Sequence, residues 1–220
     1  MSVDLRLYAL VDPDLSGGHE LGALSRSLVE GGATLVQLRD KTGSTKRLIE
    51  EARAIKSALV GSFVPLLIND RVDVALAAGA DGVHIGWDDM PVADARRLLG
   101  REAIIGLSIK TRAQVEAAPL DLLDYVCIGG VFETSSKDNK EPPVRPEGFA
   151  ALAGYLRSRA PNMPVGAIAG IDESNAAGVI AAGADGIAVI SALSLAPDPA
   201  KAAARLRGIV DDGLRLRGGA

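Results

Sequence analysis

Two cations and an amide recur at every second position in one short segment of the sequence. The segment reads Gln37-Leu38-Arg39-Asp40-Lys41. Residues two positions apart in an extended backbone point to the same side, so Gln37, Arg39 and Lys41 would converge. A polyanionic ligand would suit that arrangement. A solvated, charge-rich loop would have the same composition, and this motif alone favours neither interpretation.

Carboxylates follow two further apolar segments, as Asp70 after Asn69 and as Asp89 in the segment 84–91. Taken singly, each could cap a helix. If both segments are neighbouring parallel strands, however, Asp70 and Asp89 leave the sheet on one face, beside Arg39 and Lys41. Magnesium prefers oxygen ligands and usually takes one or two carboxylates, with water and phosphate oxygens completing its shell. The combination therefore predicts Mg²⁺ bound between the protein and a phosphate ester.

A second group of residues favours a phosphate without a metal. Segment 129–137 contains a glycine pair, three consecutive hydroxyl residues and Lys137, which together offer backbone N–H groups, hydroxyls and a cation. A mobile polar loop is the alternative for this segment. Gly170 and Ser191 follow two later apolar segments, at the position where many barrels hold a phosphate. Two anion-binding regions of this kind suggest a metal–diphosphate substrate that meets a second, monophosphorylated one.

Eight short apolar segments rich in Val, Ile and Leu must position these residues, and they read as strands buried on both faces. They span residues 6–11, 35–38, 64–68, 82–85, 103–107, 125–128, 165–168 and 186–190. Helical patterns lie between or after them, among them 21–30, 45–59, 92–99, 146–159 and 199–214. Such alternation predicts right-handed βαβ units. We therefore expect one α/β domain over residues 1–220, a (β/α)8 TIM barrel, with a doubly wound open sheet as the less favoured alternative.

An internal repeat supports the barrel. Ala-Ala-Gly-Ala-Asp-Gly occurs at 77–82 and again at 181–186, where a helix would end at glycine and a strand would begin. These are expected to be structural turns, so Asp81 and Asp185 are assigned no chemistry. Residues 215–220 are expected to form a frayed tail.

Composition restricts the class of protein further. The net charge of −4 gives no reason to expect nucleic acid as a partner. The one cysteine, Cys127, excludes an intramolecular disulfide and is expected in a strand. No apolar segment approaches transmembrane length, and no basic segment followed by an apolar one opens the chain. A cytoplasmic protein that binds small molecules and no membrane is predicted; a homodimer is left open.

The ordered set of motifs resembles the thiamine phosphate synthase family over nearly the whole chain. The residues that carry this resemblance are 8–12, 37–41, 69–70, 84–86, 129–132, 134–137, 169–171 and 189–191. No single motif is decisive, but their order and spacing are specific. The resemblance implies that hydroxymethylpyrimidine diphosphate is joined to a thiazole phosphate, giving thiamine phosphate and diphosphate.

The resemblance also implies a role for each matching residue. Gln37 would hydrogen-bond the aminopyrimidine, and Asp70 and Asp89 would ligate Mg²⁺. The diphosphate would be held by Arg39, Lys41, Asn69, Ser108 and Lys137, of which Arg39, Lys41, Ser108 and Lys137 are the predicted catalytic residues. The thiazole phosphate would be held by Thr134, Ser136, Gly170, Ile190 and Ser191.

The sequence departs from the family pattern at five positions. Trp87 stands where glutamine is usual, Gly130 and Glu133 where proline is usual, Ser136 where threonine is usual, and Ala169 where glycine is usual. These departures leave a non-catalytic thiamine- or phosphate-binding paralogue as an alternative. An isomerase resembling the thiazole tautomerase is another, although it would not need the diphosphate-binding residues. Two stability expectations accompany this interpretation. Arg39→Ala should leave the melting temperature nearly unchanged, and Ala169→Gly should destabilise slightly because glycine raises the entropy of the unfolded chain.

Overall fold

The computed structural model describes residues 3–134 and 142–218, in which eight parallel strands close into a barrel in sequence order, β1 to β8. The predicted (β/α)8 barrel is therefore confirmed. The strands are β1 Leu7–Val11, β2 Leu35–Leu38, β3 Leu66–Asn69, β4 Gly82–Ile85, β5 Ile104–Ile109, β6 Tyr125–Ile128, β7 Val165–Ile168 and β8 Gly186–Val189. Two differences bear on the site: β3 includes Asn69, and β5 continues past Ser108.

Helices follow the strands as a surrounding layer. They are α1 Leu21–Glu30, α2 Thr45–Ala58, α3 Val72–Ala78, α4 Val92–Leu99, α5 Arg112–Ala117, α6 Arg145–Arg159, α7 Ala176–Ala181, α8 Ser191–Ser194 and α9 Pro199–Gly218. Within the described residues, no helix is long and apolar enough to span a membrane. Residues 215–218, where a frayed tail is predicted, continue α9; residues 219–220 lie outside the described residues.

The strands bury both faces because helices cover the outside while side chains fill the inside. A large apolar cluster lies between the strands and the helices. A second, smaller cluster includes Tyr8, Leu67, Tyr125 and Cys127. At Gly106 a Cβ would lie 2.1 Å from the Tyr125 ring, so the absence of a side chain there leaves room for that tyrosine.

Aspartates tie the strands together at the amino-terminal end of the barrel. Side-chain oxygens of Asp81, Asp124 and Asp185 accept backbone N–H groups near the starts of β3, β5 and β7 at 2.8, 2.8 and 2.9 Å. A basic side chain pairs with each of these carboxylates. The two aspartates of the internal repeat thus have the structural role that the repeat predicts, at the face of the barrel away from the predicted site.

Candidate active site

A cavity of about 490 Å³ lies at the carboxyl ends of the strands. The predicted site residues that line it are Gln37, Arg39, Asn69, Ser108, Thr134, Gly170, Ile190 and Ser191. Lys41, Asp70 and Asp89 are not among its lining residues and form a separate cluster. Ser136 and Lys137 lie outside the described residues. The structure therefore brings most of the two predicted anion-binding regions into one cavity.

Arg39 is fixed at the cavity by a partner from the first strand's loop. Its guanidinium forms an ion pair with Asp12, and the two side chains are 13% and 5% exposed. Asp12 also accepts the backbone N–H of Asp14 at 3.0 Å, which caps a short 3-10 turn. The pair is nearly buried, so Arg39 contributes to the fold as well as to the cavity. Sequence reasoning missed Asp12, although it lies in a motif of the family resemblance.

Asp70 lies between two donors. The Lys41 ammonium pairs with its carboxylate, and Asn69 Nδ2 donates to Asp70 Oδ2 at 2.7 Å. The backbone of Asp70 has a left-handed φ of 59°, which aspartate tolerates better than most residues. Arg71, not Asp70, precedes α3, and it makes no side-chain cap hydrogen bond. The helix-cap alternative for Asp70 is therefore wrong.

Asp89 likewise does not cap the helix that follows it. Pro91 is the residue before α4 and provides no side-chain cap. Instead, Asp89 Oδ2 accepts the backbone N–H of Gly86 at 2.8 Å and closes its own loop. Trp87 of this loop is 41% exposed and is not among the residues that line the cavity.

The Asp70 and Asp89 carboxyls face each other, and their pKa values shift in opposite directions. Burial disfavours the ionised form of Asp70, but the adjacent Lys41 ammonium lowers the pKa of Asp70 below its usual value. Partial burial and the Asp70 carboxyl raise the pKa of Asp89. Two facing carboxyls that resist joint ionisation are a suitable donor set for a divalent cation, which would remove their repulsion. Among the described residues, no group of three or more His, Cys, Asp or Glu could hold a metal ion.

His84 and Ser108 both line the cavity and contact each other. His84 Nε2 lies 2.8 Å from Ser108 Oγ, and His84 Nδ1 lies 2.8 Å from the hydroxyl of Tyr125. A histidine within an apolar strand is more often a packed side chain with a satisfied ring than a general base. The structure agrees, since both ring nitrogens are within hydrogen-bond distance of a hydroxyl.

Small residues shape the opposite side of the cavity. Gly170 has a φ of 65°, and a Cβ there would lie 2.3 Å from the backbone oxygen of Glu133. The loop after β6 can thus pack against the end of β7 only because residue 170 is glycine. Ser191 begins α8 directly after Ile190, so a short helix follows β8.

Two departures from the family pattern change this side of the cavity. Gly130 has a φ of 71°, which proline cannot adopt because its ring fixes φ near −65°. The loop therefore has a backbone that the family's usual proline would not allow. Glu133 lines the cavity and is exposed.

Lys110, to which sequence reasoning assigned no role, also lines the cavity, and its side chain lies against Gly129 and Gly130. The signal was its position two residues after Ser108.

Ala169→Gly is expected to raise the free energy of unfolding by about 0.5–1 kcal/mol. Ala169 has a φ of 91°, and a left-handed backbone costs an L-residue roughly 1–2 kcal/mol. This strain exceeds the roughly 0.4–1 kcal/mol of stability that a glycine variant loses because its unfolded chain has greater entropy. The expected effect of Ala169→Gly is therefore the opposite of the sequence-based expectation. Denaturant unfolding tests it, with Ala167→Gly as the control. Ala167 is buried in β7 without a positive φ, so its substitution should destabilise. Equal destabilisation by both variants would contradict the strain at Ala169.

Comparison with known proteins identifies the family. Residues 7–193 match the sequence model of a family described as thiamine monophosphate synthase. A thiamine-phosphate synthase of Agrobacterium fabrum is 55% identical over 215 residues, 98% of each chain. One of Chloroflexus aurantiacus is 44% identical over 208 residues, 94% of each chain. The solved thiamine phosphate pyrophosphorylase of Pyrococcus furiosus superposes with a TM-score of 0.84 at 35% identity, covering 96% of this chain and 98% of that one. The chain belongs to the thiamine monophosphate synthase family.

Proposed function

We propose how this chain carries out the transferase reaction of its family. It joins hydroxymethylpyrimidine diphosphate to a thiazole phosphate and releases inorganic diphosphate. The observation that carries the proposal is the division of one cavity into two unlike halves. A charged and amide half contains Gln37, Arg39, Asn69 and Ser108, and a half of small and hydroxyl residues contains Thr134, Gly170 and Ser191.

The charged half suits departure of diphosphate. The bond between the pyrimidine CH₂ and the diphosphate oxygen breaks, and the electron-rich aminopyrimidine stabilises the resulting carbocation. Such a step needs little proton transfer and depends on neutralising the leaving group. Arg39 and Lys41 supply positive charge, while Asn69 and Ser108 supply hydrogen-bond donors. The resemblance adds Lys137. Magnesium, held by Asp70 and Asp89, would add further positive charge at the leaving diphosphate.

The hydroxyl half positions the second substrate. Thr134, Gly170, Ile190 and Ser191 line it, and the resemblance adds Ser136. Binding the phosphate of the thiazole there would hold the ring nitrogen towards the carbocation, so that attack follows within one complex. The new C–N bond completes thiamine phosphate without a covalent enzyme intermediate.

The alternatives explain the site less well. An isomerase would need an acid–base residue but not the Lys41–Asp70–Asp89 cluster beside the cavity. A binding-only paralogue is supported only by the departures from the family pattern. With Gly130, Glu133 and Ala169 in place, the cavity still has a volume of about 490 Å³. We infer from the sequence that the protein is cytoplasmic; a homodimer stays an open expectation.

Turnover assays with both substrates and Mg²⁺ test the proposal. We expect thiamine phosphate and diphosphate to form in equal amounts, as measured by chromatography. Lys41→Ala should lower kcat/KM for the pyrimidine diphosphate by about 10–100-fold, the value of one charge-assisted contact. Lys46→Ala is the matched control, because Lys46 is 87% exposed on α2. Diphosphate binding without turnover would support the paralogue, and isomerisation of a thiazole alone would support the isomerase.

A further inference from the structure

A continuous chain of polar contacts runs from Gln37 to Ser108 through the interior of the barrel. Gln37 Nε2 donates to the Tyr8 hydroxyl, and the hydroxyls of Tyr8 and Tyr125 are 2.9 Å apart. The Tyr125 hydroxyl is 2.8 Å from His84 Nδ1, and His84 Nε2 is 2.8 Å from Ser108 Oγ. The two ends, Gln37 and Ser108, both line the cavity. The two tyrosines link them from below.

The Gln37 side chain has one acceptor atom that this chain leaves without a hydrogen bond. The residue is 1% exposed, and its Oε1 is buried with no hydrogen-bond partner among the described residues. A buried carbonyl oxygen without a donor costs free energy. Because Gln37 lines the cavity, a bound ligand with an N–H group can supply the donor.

Each hydroxyl of the chain has one hydrogen to donate, so the hydrogen bonds can run in one of two directions. Burial raises the pKa of both Tyr8 and Tyr125, so each keeps its one hydroxyl hydrogen. Gln37 donates to the Tyr8 hydroxyl, and the Tyr125 hydroxyl is placed to donate to the same oxygen. In the direction that begins at Gln37, Tyr8 would instead donate to Tyr125, and Tyr125 would donate to His84 Nδ1. A neutral imidazole then carries its hydrogen on Nε2 and donates it to Ser108. The hydroxyl of Ser108 is left to donate into the cavity.

The opposite direction gives a different cavity. Ser108 would donate to His84, and the bonds would pass on until Tyr8 donated to the Gln37 oxygen. The amide would then turn its NH₂ group towards the cavity, and Ser108 would have no hydrogen for a ligand. The two directions therefore present opposite polarities at both ends.

We infer that this chain sets the polarity of the pyrimidine diphosphate site, with Tyr8 and Tyr125 as positioning residues. The inference rests on the proposed function. The amino group of the pyrimidine offers N–H donors and needs an acceptor at Gln37. The diphosphate offers only acceptors and needs a donor at Ser108. Only the direction that starts at Gln37 satisfies both ends of the substrate.

Tyr8→Phe and Tyr125→Phe test the inference because each removes one hydroxyl from the chain and keeps the ring. Each should lower kcat/KM for the pyrimidine diphosphate by about tenfold, roughly the value of one hydrogen bond, and leave the KM for thiazole phosphate unchanged. Tyr155→Phe is the control and should alter neither value. Its hydroxyl bonds Glu116 at 2.9 Å on the outer surface of the barrel.

A mutant cycle separates positioning from a structural role. In a Gln37→Ala background, Tyr8→Phe and Tyr125→Phe should each change kcat/KM by less than about twofold, because the residue at which the proposed direction begins is then already absent and the tyrosines no longer transmit it to Ser108. An undiminished tenfold loss in that background, or no loss in the wild type, would overturn the inference. Tyr125→Phe gives the same test if Tyr8→Phe fails to fold. Absence of turnover in the wild-type enzyme would instead overturn the proposed function.

Discussion

Arg39→Ala is expected to impair both turnover and folding. Its guanidinium is proposed to bind the diphosphate, so kcat/KM for that substrate should fall by about 10–100-fold, the value of a charge-assisted contact. The same guanidinium pairs with Asp12, which is only 5% exposed. Removing one partner of a buried pair leaves an uncompensated charge and costs roughly 3–5 kcal/mol. We expect about 3 kcal/mol, because Asp12 keeps its bond to Asp14 N–H. The sequence-based expectation of an unchanged melting temperature is therefore reversed.

A second variant separates the two effects of Arg39. Combining Asp12→Ala with Arg39→Ala also removes the carboxylate that the single variant leaves without a partner. Compared with Arg39→Ala alone, the double variant should recover part of the lost free energy of unfolding but none of the lost activity. Lys41→Ala should lose activity with a smaller loss of stability, because Lys41 itself is 50% exposed and Asp70, although only 16% exposed, keeps its hydrogen bond from Asn69. Denaturant unfolding and steady-state kinetics measure both quantities. A stable Arg39→Ala enzyme would show that the Asp12 pair contributes little to folding.

The barrel could be predicted from the sequence because its strands are almost wholly apolar. Several bounds agree with the predicted ones, including Leu35–Leu38, Gly82–Ile85 and Tyr125–Ile128. Parallel strands with a common direction end on one face, so polar residues at strand ends could be assigned to one site before any contact was known. Local pattern and strand direction were sufficient for that step.

Apart from Lys110, the missed features depend on partners distant in sequence or on backbone torsion angles. Asp12 meets Arg39 from another strand, and Tyr125 lies 2.9 Å from Tyr8 although 117 residues separate them. No spacing rule predicts such pairs. The apolar and glycine-rich sequence around Ala169 and Gly130 likewise does not predict their positive φ values. These features decide stability and positioning, while the sequence pattern alone indicates the chemistry.

Removing divalent cations is expected to abolish turnover, and restoring Mg²⁺ should recover it. The reason lies in the cluster of Lys41, Asp70 and Asp89. Lys41 lowers the pKa of Asp70, while burial and Asp70 raise the pKa of Asp89. One ammonium thus offsets only one of the two carboxylates, and a diphosphate placed beside them would add negative charge. A divalent cation held by Asp70 and Asp89 would supply the positive charge that the second carboxylate and the diphosphate lack. Full turnover in excess EDTA would contradict the predicted magnesium site.

Single amide substitutions should locate the metal requirement. Asp70→Asn and Asp89→Asn should each raise the Mg²⁺ concentration needed for half-maximal rate by about 10–100-fold, because each removes one charged oxygen ligand. Asp88→Asn is the matched control; Asp88 is an exposed neighbour outside the facing pair. Melting temperature provides a readout independent of turnover. Mg²⁺ with inorganic diphosphate should stabilise the wild-type enzyme and Asp88→Asn by mass action, and should stabilise the other two variants much less. Equal stabilisation of all four proteins would remove Asp70 and Asp89 from the metal site even if their activities differed.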